Sequence, residues 1–362
     1  MEDSQTASGP GAADRAGIWR AIDASANRAA EALRVIEDAV RFVLDDVVLT
    51  GAAKDLRHEL AQALATTPLP HRFAARDVAG DVGAGMESAA ALGRSSPADL
   101  VAANAARAAQ ALRSLAECAA VVAPPAAAAF ERIRYRLYDL ERLALVAARA
   151  RARLAGVNLC VLVDGRADAA AFERLVAALV EAGVRMLQIR DKRLATPAVV
   201  DRARRAVAIA RRRPADEPVF VIVNDRVDVA AAVGAAGAHV GADDLPVPLA
   251  RRVLGPAALL GATAHDVAEA RAAAAAGADC LGIGPCFPSA TKTFGAFAAP
   301  EFLRTVATEI ALPAYAIGGV TLERLDELRR LGIRRVAVAS AVTAAADPAA
   351  AARAFIERLA AP

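Results

Sequence analysis

The pentapeptide Gln188-Ile189-Arg190-Asp191-Lys192 sets an amide, a guanidinium and an ammonium at alternate positions. Alternate side chains of a strand share one face. A face made of Gln188, Arg190 and Lys192 is poor core and a good anion site. An arginine fork beside a lysine point charge suits a phosphate or a pyrophosphate. Two further carboxylates stand close to apolar runs: Asp225, after Asn224, and Asp244, in Gly241-Ala242-Asp243-Asp244-Leu245-Pro246. By itself Asp244 reads as a helix cap. Paired with Asp225 from a neighbouring strand, about 4.8 Å away, it reads as hard oxygen donors for Mg²⁺, with water and a substrate phosphate supplying the rest. A proline-fixed loop, Gly284-Pro285-Cys286-Phe287-Pro288-Ser289-Ala290-Thr291-Lys292, adds two hydroxyls and a lysine. Ile317-Gly318-Gly319-Val320 and Ala339-Ser340-Ala341 add backbone able to approach an anion closely.

The elements that must hold these groups alternate. After residue 156, apolar runs occur at 158–164, 185–190, 219–224, 238–241, 259–263, 280–285, 313–317 and 335–340. Each is separated from the next by enough chain for one helix. Eight strands alternating with helices predict an α/β fold with a parallel sheet, and eight is the number that closes a (β/α)8 TIM barrel. Every chemical group named above then falls at the C-terminal end of a strand, where such barrels bind their ligands. The competing arrangement is an open doubly wound sheet; no GxGxxG follows the first strand, which weakens a dinucleotide-binding reading. The barrel mouth offers two anion sites. One comprises strand two, Lys292 and the metal. The other comprises the ends of strands seven and eight with the Ser289–Thr291 loop.

Residues 16–150 differ. They carry helical periodicity and almost no strand signal. Trp19 to Leu44 places Ile22, Ala26, Ala29, Ala30, Leu33, Ile36, Val40 and Leu44 at helical spacing, with Asp23 or Ser25 as candidate caps. Helices are expected over 99–122 and 126–150, and an ordered loop over 68–98. Arg28-Ala-Ala-Glu-Ala-Leu-Arg34 is echoed by Arg107-Ala-Ala-Gln-Ala-Leu-Arg113, 79 residues later, which is the signature of either a duplicated hairpin or two alanine-rich helices of similar composition. The expected domains are a disordered tail at 1–15, an all-α domain at 16–150 and the barrel at 157–362.

Composition narrows the classes of function. The 362 residues carry 44 basic and 41 acidic side chains, a net charge of +3, and only 4% aromatics. That balance, without a basic tract interleaved with aromatics, gives no nucleic-acid partner. Cys118, Cys160, Cys280 and Cys286 lack metal spacing and are few for the length, which fits a reducing, cytoplasmic setting. Residues 1–15 have no apolar segment of a secretory signal. The alanine-rich stretch 119–129 is too short to span a bilayer, so no membrane partner is expected. Self-association into a homo-oligomer is left open.

The motifs QIRDK (188–192), ND (224–225), HVGADDLP (239–246), GAT (261–263), GPCFPSATK (284–292), IGGV (317–320) and ASA (339–341) occur in the order and spacing of the thiamine phosphate synthases, which 157–362 closely resembles. The resemblance implies a transferase that joins a pyrimidine diphosphate to a carboxythiazole phosphate, giving thiamine phosphate, pyrophosphate and CO2. It implies that Gln188, Ile189, Arg190, Asp191, Lys192, Asn224, Thr263 and Lys292 line the pyrimidine diphosphate site, that Asp225 and Asp244 hold Mg²⁺, and that Ser289, Ala290, Thr291, Gly319, Ala339 and Ser340 bind the thiazole phosphate. Arg190, Lys192 and Lys292 would stabilise the leaving group. Ala242, Thr263 and Ser289 depart from the commoner glutamine, serine and threonine; the hydroxyl swaps keep the donor, and Ala242 removes an amide beside the metal loop.

The first half resembles a helical domain found ahead of such synthases in some bacteria, through DASANRAAEALRVIEDAVRFVLDD (23–46), KDLRHEL (54–60), ARDVAGDVG (75–83) and RIRYRLYDLE (132–141). That resemblance implies help in supplying the pyrimidine diphosphate by phosphorylation, although no P-loop is present. Asn27, Arg28, Glu31, Arg34, Glu37 and Asp38 are weighed as a catalytic cluster against a solvated helix face, and Arg76, Asp77, Asp81 and Gly83 as a ligand loop. Two other functions are weighed for the barrel: a thiazole tautomerase, which would not need both aspartates and the strand-two triple, and a non-catalytic ligand sensor, which would not need a metal site.

Overall fold

The computed structural model describes residues 11–66, 69–77, 93–288 and 296–361. The chain divides into two compact units, Met1–Leu145 and Val146–Pro362. The first is helical: α1 (Ala12–Asp38) runs into a π-helical turn (Ala39–Val43), followed by α2 (Val47–Ala65), α3 (Leu69–Ala74), α4 (Pro97–Val122) and most of α5 (Pro124–Arg153), whose last turns belong to the second unit. The Asp46 carboxylate caps α2 by accepting from Leu49 N at 2.8 Å, and Ser96 caps α4 ahead of Pro97. Asp23 and Ser25 are not caps. They lie buried within α1, Asp23 against Arg76 (2.7 Å) and Arg72 (3.3 Å), and Ser25 against the Ser114 hydroxyl. The chain starts α1 at Ala12, inside the expected tail, and 1–10 lie outside the described residues. The stretch expected as loop contains α3, because Leu69–Ala74 supplies the arginine that pairs with Asp23.

The echo between the two halves of this unit extends to burial. Ile22, Ala26, Ala29, Leu33 and Ile36 on α1 and Val40 in the π-helical turn are buried, and so are Val101, Ala105, Ala108, Leu112, Leu115 and Ala119 on α4, each 79 residues on. Leu49, Ala53, Leu56, Leu60 and Ala63 on α2 correspond in the same way to Ala126, Phe130, Ile133, Leu137 and Leu140 on α5, with the offset shortened to 77. Two helices of merely similar composition need not share a core register over eleven positions, so duplication of a helical hairpin accounts better for the echo. The repeated polar residues Arg28, Glu31, Arg34, Arg107, Gln110 and Arg113 are exposed on both copies.

Glu37 behaves differently from its neighbours in the charged cluster. It is buried and accepts from Arg57 Nε at 2.7 Å. Burial alone would raise its carboxyl, but the Arg57 hydrogen bond and charge, with Arg34 and Arg41, outweigh burial and hold it below the ordinary value of 4.5. A carboxyl depressed in the folded state stabilises above its unfolded value, and that contribution is lost as pH falls through the folded value. Glu37→Gln should therefore cost about 1–3 kcal/mol at neutral pH and little at pH 3, read from urea unfolding followed by helix content. An equal cost at both pH values would show that the pair contributes nothing.

The second unit is the barrel expected from the alternation. Its strands are β1 (Leu159–Val163), β2 (Met186–Ile189), β3 (Phe220–Asn224), β4 (Gly237–Val240), β5 (Leu259–Ala264), β6 (Cys280–Ile283), β7 (Ala314–Ile317) and β8 (Val336–Val338). All pair in parallel, and β1 pairs with both β2 and β8, which closes the sheet and excludes the open arrangement. Between them run α6 (Ala169–Glu181), α7 (Thr196–Ala210), α8 (Val227–Val233), α9 (Val247–Leu254), α10 (Val267–Ala276), α11 (Pro300–Glu309) and α12 (Leu325–Arg330), and after β8 come α13 (Ser340–Thr343) and α14 (Pro348–Ala360). Val223, Ala238, Val240 and Leu260 face outward against α8 and α9. Cys160, Met186, Ile222, Cys280 and Tyr315 fill the interior. The period of two then directs Gln188, Asn224, His239 and Thr263 inward, one layer nearer the C-terminal mouth.

Candidate active site

The register places these inward groups side by side. Asn224 is paired with His239, His239 with Gly261, and Thr263 with Gly282. A cavity of about 50 Å³ lies among them, lined by Gln188, His239 and Thr263 together with Met186, Cys280 and Tyr315. Gln188 is buried and Asn224 half-buried. Beyond β2, Arg190 N donates to Val163 O at 2.9 Å, which extends the strand by one bond and leaves Arg190 partly buried at the rim. The Lys192 side chain is 65% exposed, and its Nζ lies 3.7 Å from Asp225 Oδ2.

Asp225 follows β3 with φ of 62°, a left-handed conformation that a non-glycine residue rarely adopts. Its amide donates to His239 O at 2.8 Å, which holds that turn. Asp244, from the loop after β4, accepts from Gly241 N at 2.7 Å and is hydrogen-bonded to the Asp225 carboxyl. Burial, then that hydrogen bond and the charge of Asp244, push the Asp225 carboxyl above its ordinary value; Lys192 and Arg190 pull it down by less. Two carboxylates meeting in a partly buried place repel unless a proton or a cation lies between them. Among the described residues no group of three or more His, Cys, Asp or Glu is placed to hold a metal. A two-carboxylate set suits Mg²⁺, which keeps several waters and takes the remaining oxygens from phosphate. The residues present thus fit the ion.

Asp191 does something else. Its carboxylate is almost fully covered and accepts from the backbone of Gly165 (3.0 Å), Arg193 (2.7 Å) and Leu194 (3.2 Å). Burial would raise this carboxyl, and these hydrogen bonds lower it on balance. Asp191 therefore ties the loop after β1 to the loop after β2. Arg166, in the first of these loops, has φ of 54° and donates to Thr343 O at the end of α13. Sequence reasoning missed Arg166: no spacing rule singles out an arginine whose partner lies 177 residues away.

On the other side of the mouth the loop after β6 is laced to the end of β7. Cys286 N donates to Ile317 O at 2.9 Å and Phe287 N to Gly318 O at 3.0 Å. Gly318 and Gly319 have φ of 93° and 62°. Arg324 donates to Gly319 O (2.7 Å) and Pro288 O (3.3 Å) with its guanidinium over the Phe287 ring, a second organising residue that sequence reasoning missed. Ala339 and Ser340, at the end of β8, are exposed. Ser289, Ala290, Thr291 and Lys292 lie outside the described residues, as do Asp81 and Gly83 of the first unit. Ile189 faces outward and is buried. His265 is hydrogen-bonded to Gly284 O (2.6 Å). The His239 imidazole is held to about 4 by burial, opposed by the charge of Asp244 and reinforced by that of Arg190, so it is neutral at physiological pH.

Residues 159–342 match the family model described as thiamine monophosphate synthase, and residues 20–143 match that of the ThiD2 family. The thiamine-phosphate synthase of Rhodopirellula baltica is 37% identical over 336 residues, covering 90% of this chain and 88% of its own. That of Gloeobacter violaceus is 38% identical over 342 residues, covering 94% and 97%. A solved thiamine phosphate pyrophosphorylase from Pyrococcus furiosus is 29% identical, covers 57% of this chain and 98% of its own, and superposes with a TM-score of 0.49.

Proposed function

The chain belongs to the thiamine monophosphate synthase family, and from that membership we propose how its residues divide the work. The reaction condenses a pyrimidinylmethyl diphosphate with a carboxythiazole phosphate. The methylene C–O bond breaks, and pyrophosphate leaves with the electron pair. The thiazole nitrogen forms the new C–N bond, and the carboxylate departs as CO2, leaving its bonding pair on the ring carbon, which takes up a proton from water. The observation that carries the assignment is the convergence of Arg190, Lys192, Asp225 and Asp244 at the mouth above the inward-facing Gln188, Asn224 and Thr263.

Arg190 and Lys192, with Lys292, bind the diphosphate and stabilise the charge that develops as it leaves. Asp225 and Asp244 would hold Mg²⁺, which when bound supplies further positive charge to the leaving oxygens. Gln188 and Asn224 orient the pyrimidine end, and the Thr263 hydroxyl is assigned to the diphosphate. Asp191 acts at one remove, by fixing the loops that carry Arg190 and Lys192. Gly319, Ala339 and Ser340, with the Ser289–Thr291 loop, take the phosphate of the nucleophile. No side-chain nucleophile enters, so catalysis rests on positioning and electrostatics. A tautomerase would have no use for the paired carboxylates beside Lys192, and a sensor none for a metal site aimed at a leaving group.

The first unit is assigned help in supplying the pyrimidine diphosphate; support comes from its match to a second family and from relatives that align over both regions. Small phosphorylated pyrimidine and thiazole molecules are the partners, and the cytoplasm is the setting that fits. Among the described residues no helix is long and apolar enough to cross a membrane.

One experiment tests the reading. The full chain, given pyrimidine diphosphate, carboxythiazole phosphate and Mg²⁺, should release one pyrophosphate per thiamine phosphate; folded protein that releases none overturns the assignment. A second arm offers pyrimidine monophosphate and ATP instead. Product there supports the supply role of the first unit, and product from the diphosphate alone removes it.

A further inference from the structure

His239 makes three contacts whose combination the reaction does not yet use. Its backbone oxygen holds the Asp225 amide. Its Nε2 is 2.9 Å from Thr263 Oγ1. Its ring lies against two glycines on the next two strands. A Cβ on Gly261 would stand 2.3 Å from His239 Nδ1, and a Cβ on Gly282 would stand 3.0 Å from Cε1 and 3.3 Å from Nε2. Neither glycine has positive φ, so neither is there for the backbone's sake. Inside a barrel such positions ordinarily carry branched apolar side chains, and a glycine within a strand costs about 0.5–1 kcal/mol. The two glycines instead leave a slot that the imidazole fills, with Nε2 beside Thr263.

A hydroxyl has one proton to give and two lone pairs. Phosphate oxygens of a bound diphosphate only accept. For Thr263 to serve that ligand, its O–H must point at the ligand, and its hydrogen bond to His239 must then be one that it accepts. That requires the proton of the neutral imidazole on Nε2. We infer that His239 is a positioning residue: the Gly261–Gly282 slot holds its Nε2–H against Thr263 and turns the threonine hydroxyl into a donor for the diphosphate. The inference rests on the assignment of Thr263 to the diphosphate site made above.

The test measures binding as well as turnover, in the full chain. An asparagine amide reaches as far as Nδ1, and a glutamine amide as far as Nε2. His239→Asn should weaken binding of the pyrimidine diphosphate about tenfold, the worth of one hydrogen bond to a charged acceptor, and leave KM for the carboxythiazole phosphate unchanged. His239→Gln should restore binding to within about threefold. In a cycle with Thr263→Ala, adding His239→Asn should cost nothing more, because the two residues act through one hydroxyl. Gly261→Ala should reproduce the His239→Asn defect by closing the slot. Additive losses in the cycle, equal effects on both substrates, or a glutamine no better than asparagine would each overturn the inference. If His239→Asn does not fold, the same cycle run with Gly261→Ala and Thr263→Ala decides it. Failure here leaves wild-type pyrophosphate release intact, whereas failure of the family reaction abolishes that release.

Discussion

Asp225→Asn lowers turnover at saturating substrates by about 100-fold and flattens the dependence of rate on added Mg²⁺. The magnitude is that of removing one charged group aimed at a developing anion in a partly dry site. Asparagine is the informative replacement because of the backbone: Asp225 sits at φ of 62°, and asparagine tolerates that region where most residues do not. The turn held by the Asp225 amide on His239 O should survive, so lost activity reports lost charge. Asp225→Ala adds backbone strain of about 1 kcal/mol, and Asp225→Gly removes strain together with charge. If activity follows charge, all three variants lose comparable turnover and none regains it with more Mg²⁺; if it follows strain, glycine is spared and alanine is worst. Unchanged turnover and an unchanged Mg²⁺ curve for Asp225→Asn would refute the metal assignment.

The same turn shows what could and could not be read from sequence. Eight short apolar runs at helical separation identify the strands, because a strand buried on both faces needs a continuous apolar run, and the count of eight implies closure. Alternation then indicates that Gln188 and Thr263 face inward. What fails is anything decided by a partner distant in sequence. Asp191 looks like one more polar group of a ligand strand, yet its carboxylate is spent on Gly165, Arg193 and Leu194 amides. Asp23 and Ser25 look like caps at a helix start, yet Arg72, Arg76 and Ser114 bury them mid-helix. Gly261 and Gly282 are unremarkable glycines until the barrel closes and lays the His239 ring against both of them. The duplication lies between these cases: seven residues echo visibly, while the shared core register emerges only from which alanines and leucines are covered.

Gly319→Ala separates the two halves of the mouth from the opposite side. The variant should raise KM for the carboxythiazole phosphate by about 100-fold and weaken binding of the pyrimidine diphosphate, which keeps Arg190 and Lys192 and loses only the placement of Lys292, by no more than about tenfold, the pattern of binding lost chiefly at one site. A Cβ at this position would lie 2.2 Å from Pro288 O and 2.6 Å from Phe287 O. Both are backbone atoms, so no rotamer change relieves the overlap; the loop after β6 must move. That loop leads directly into Ser289, Ala290, Thr291 and Lys292, and it is tied to β7 by Cys286 and Phe287 amides and to Gly319 O through Arg324. Strain alone is not the cause, and Gly255→Ala shows this within the same barrel: φ there is 77°, but nothing lies within 4 Å of the added methyl. It should carry a similar conformational cost of about 1 kcal/mol in stability and leave both KM values unchanged. If Gly319→Ala behaves like Gly255→Ala, or shifts both substrates equally, the end of β7 is not where the nucleophile's phosphate is held. A loss falling chiefly on the thiazole substrate would place the two phosphorylated reactants on opposite sides of one barrel mouth.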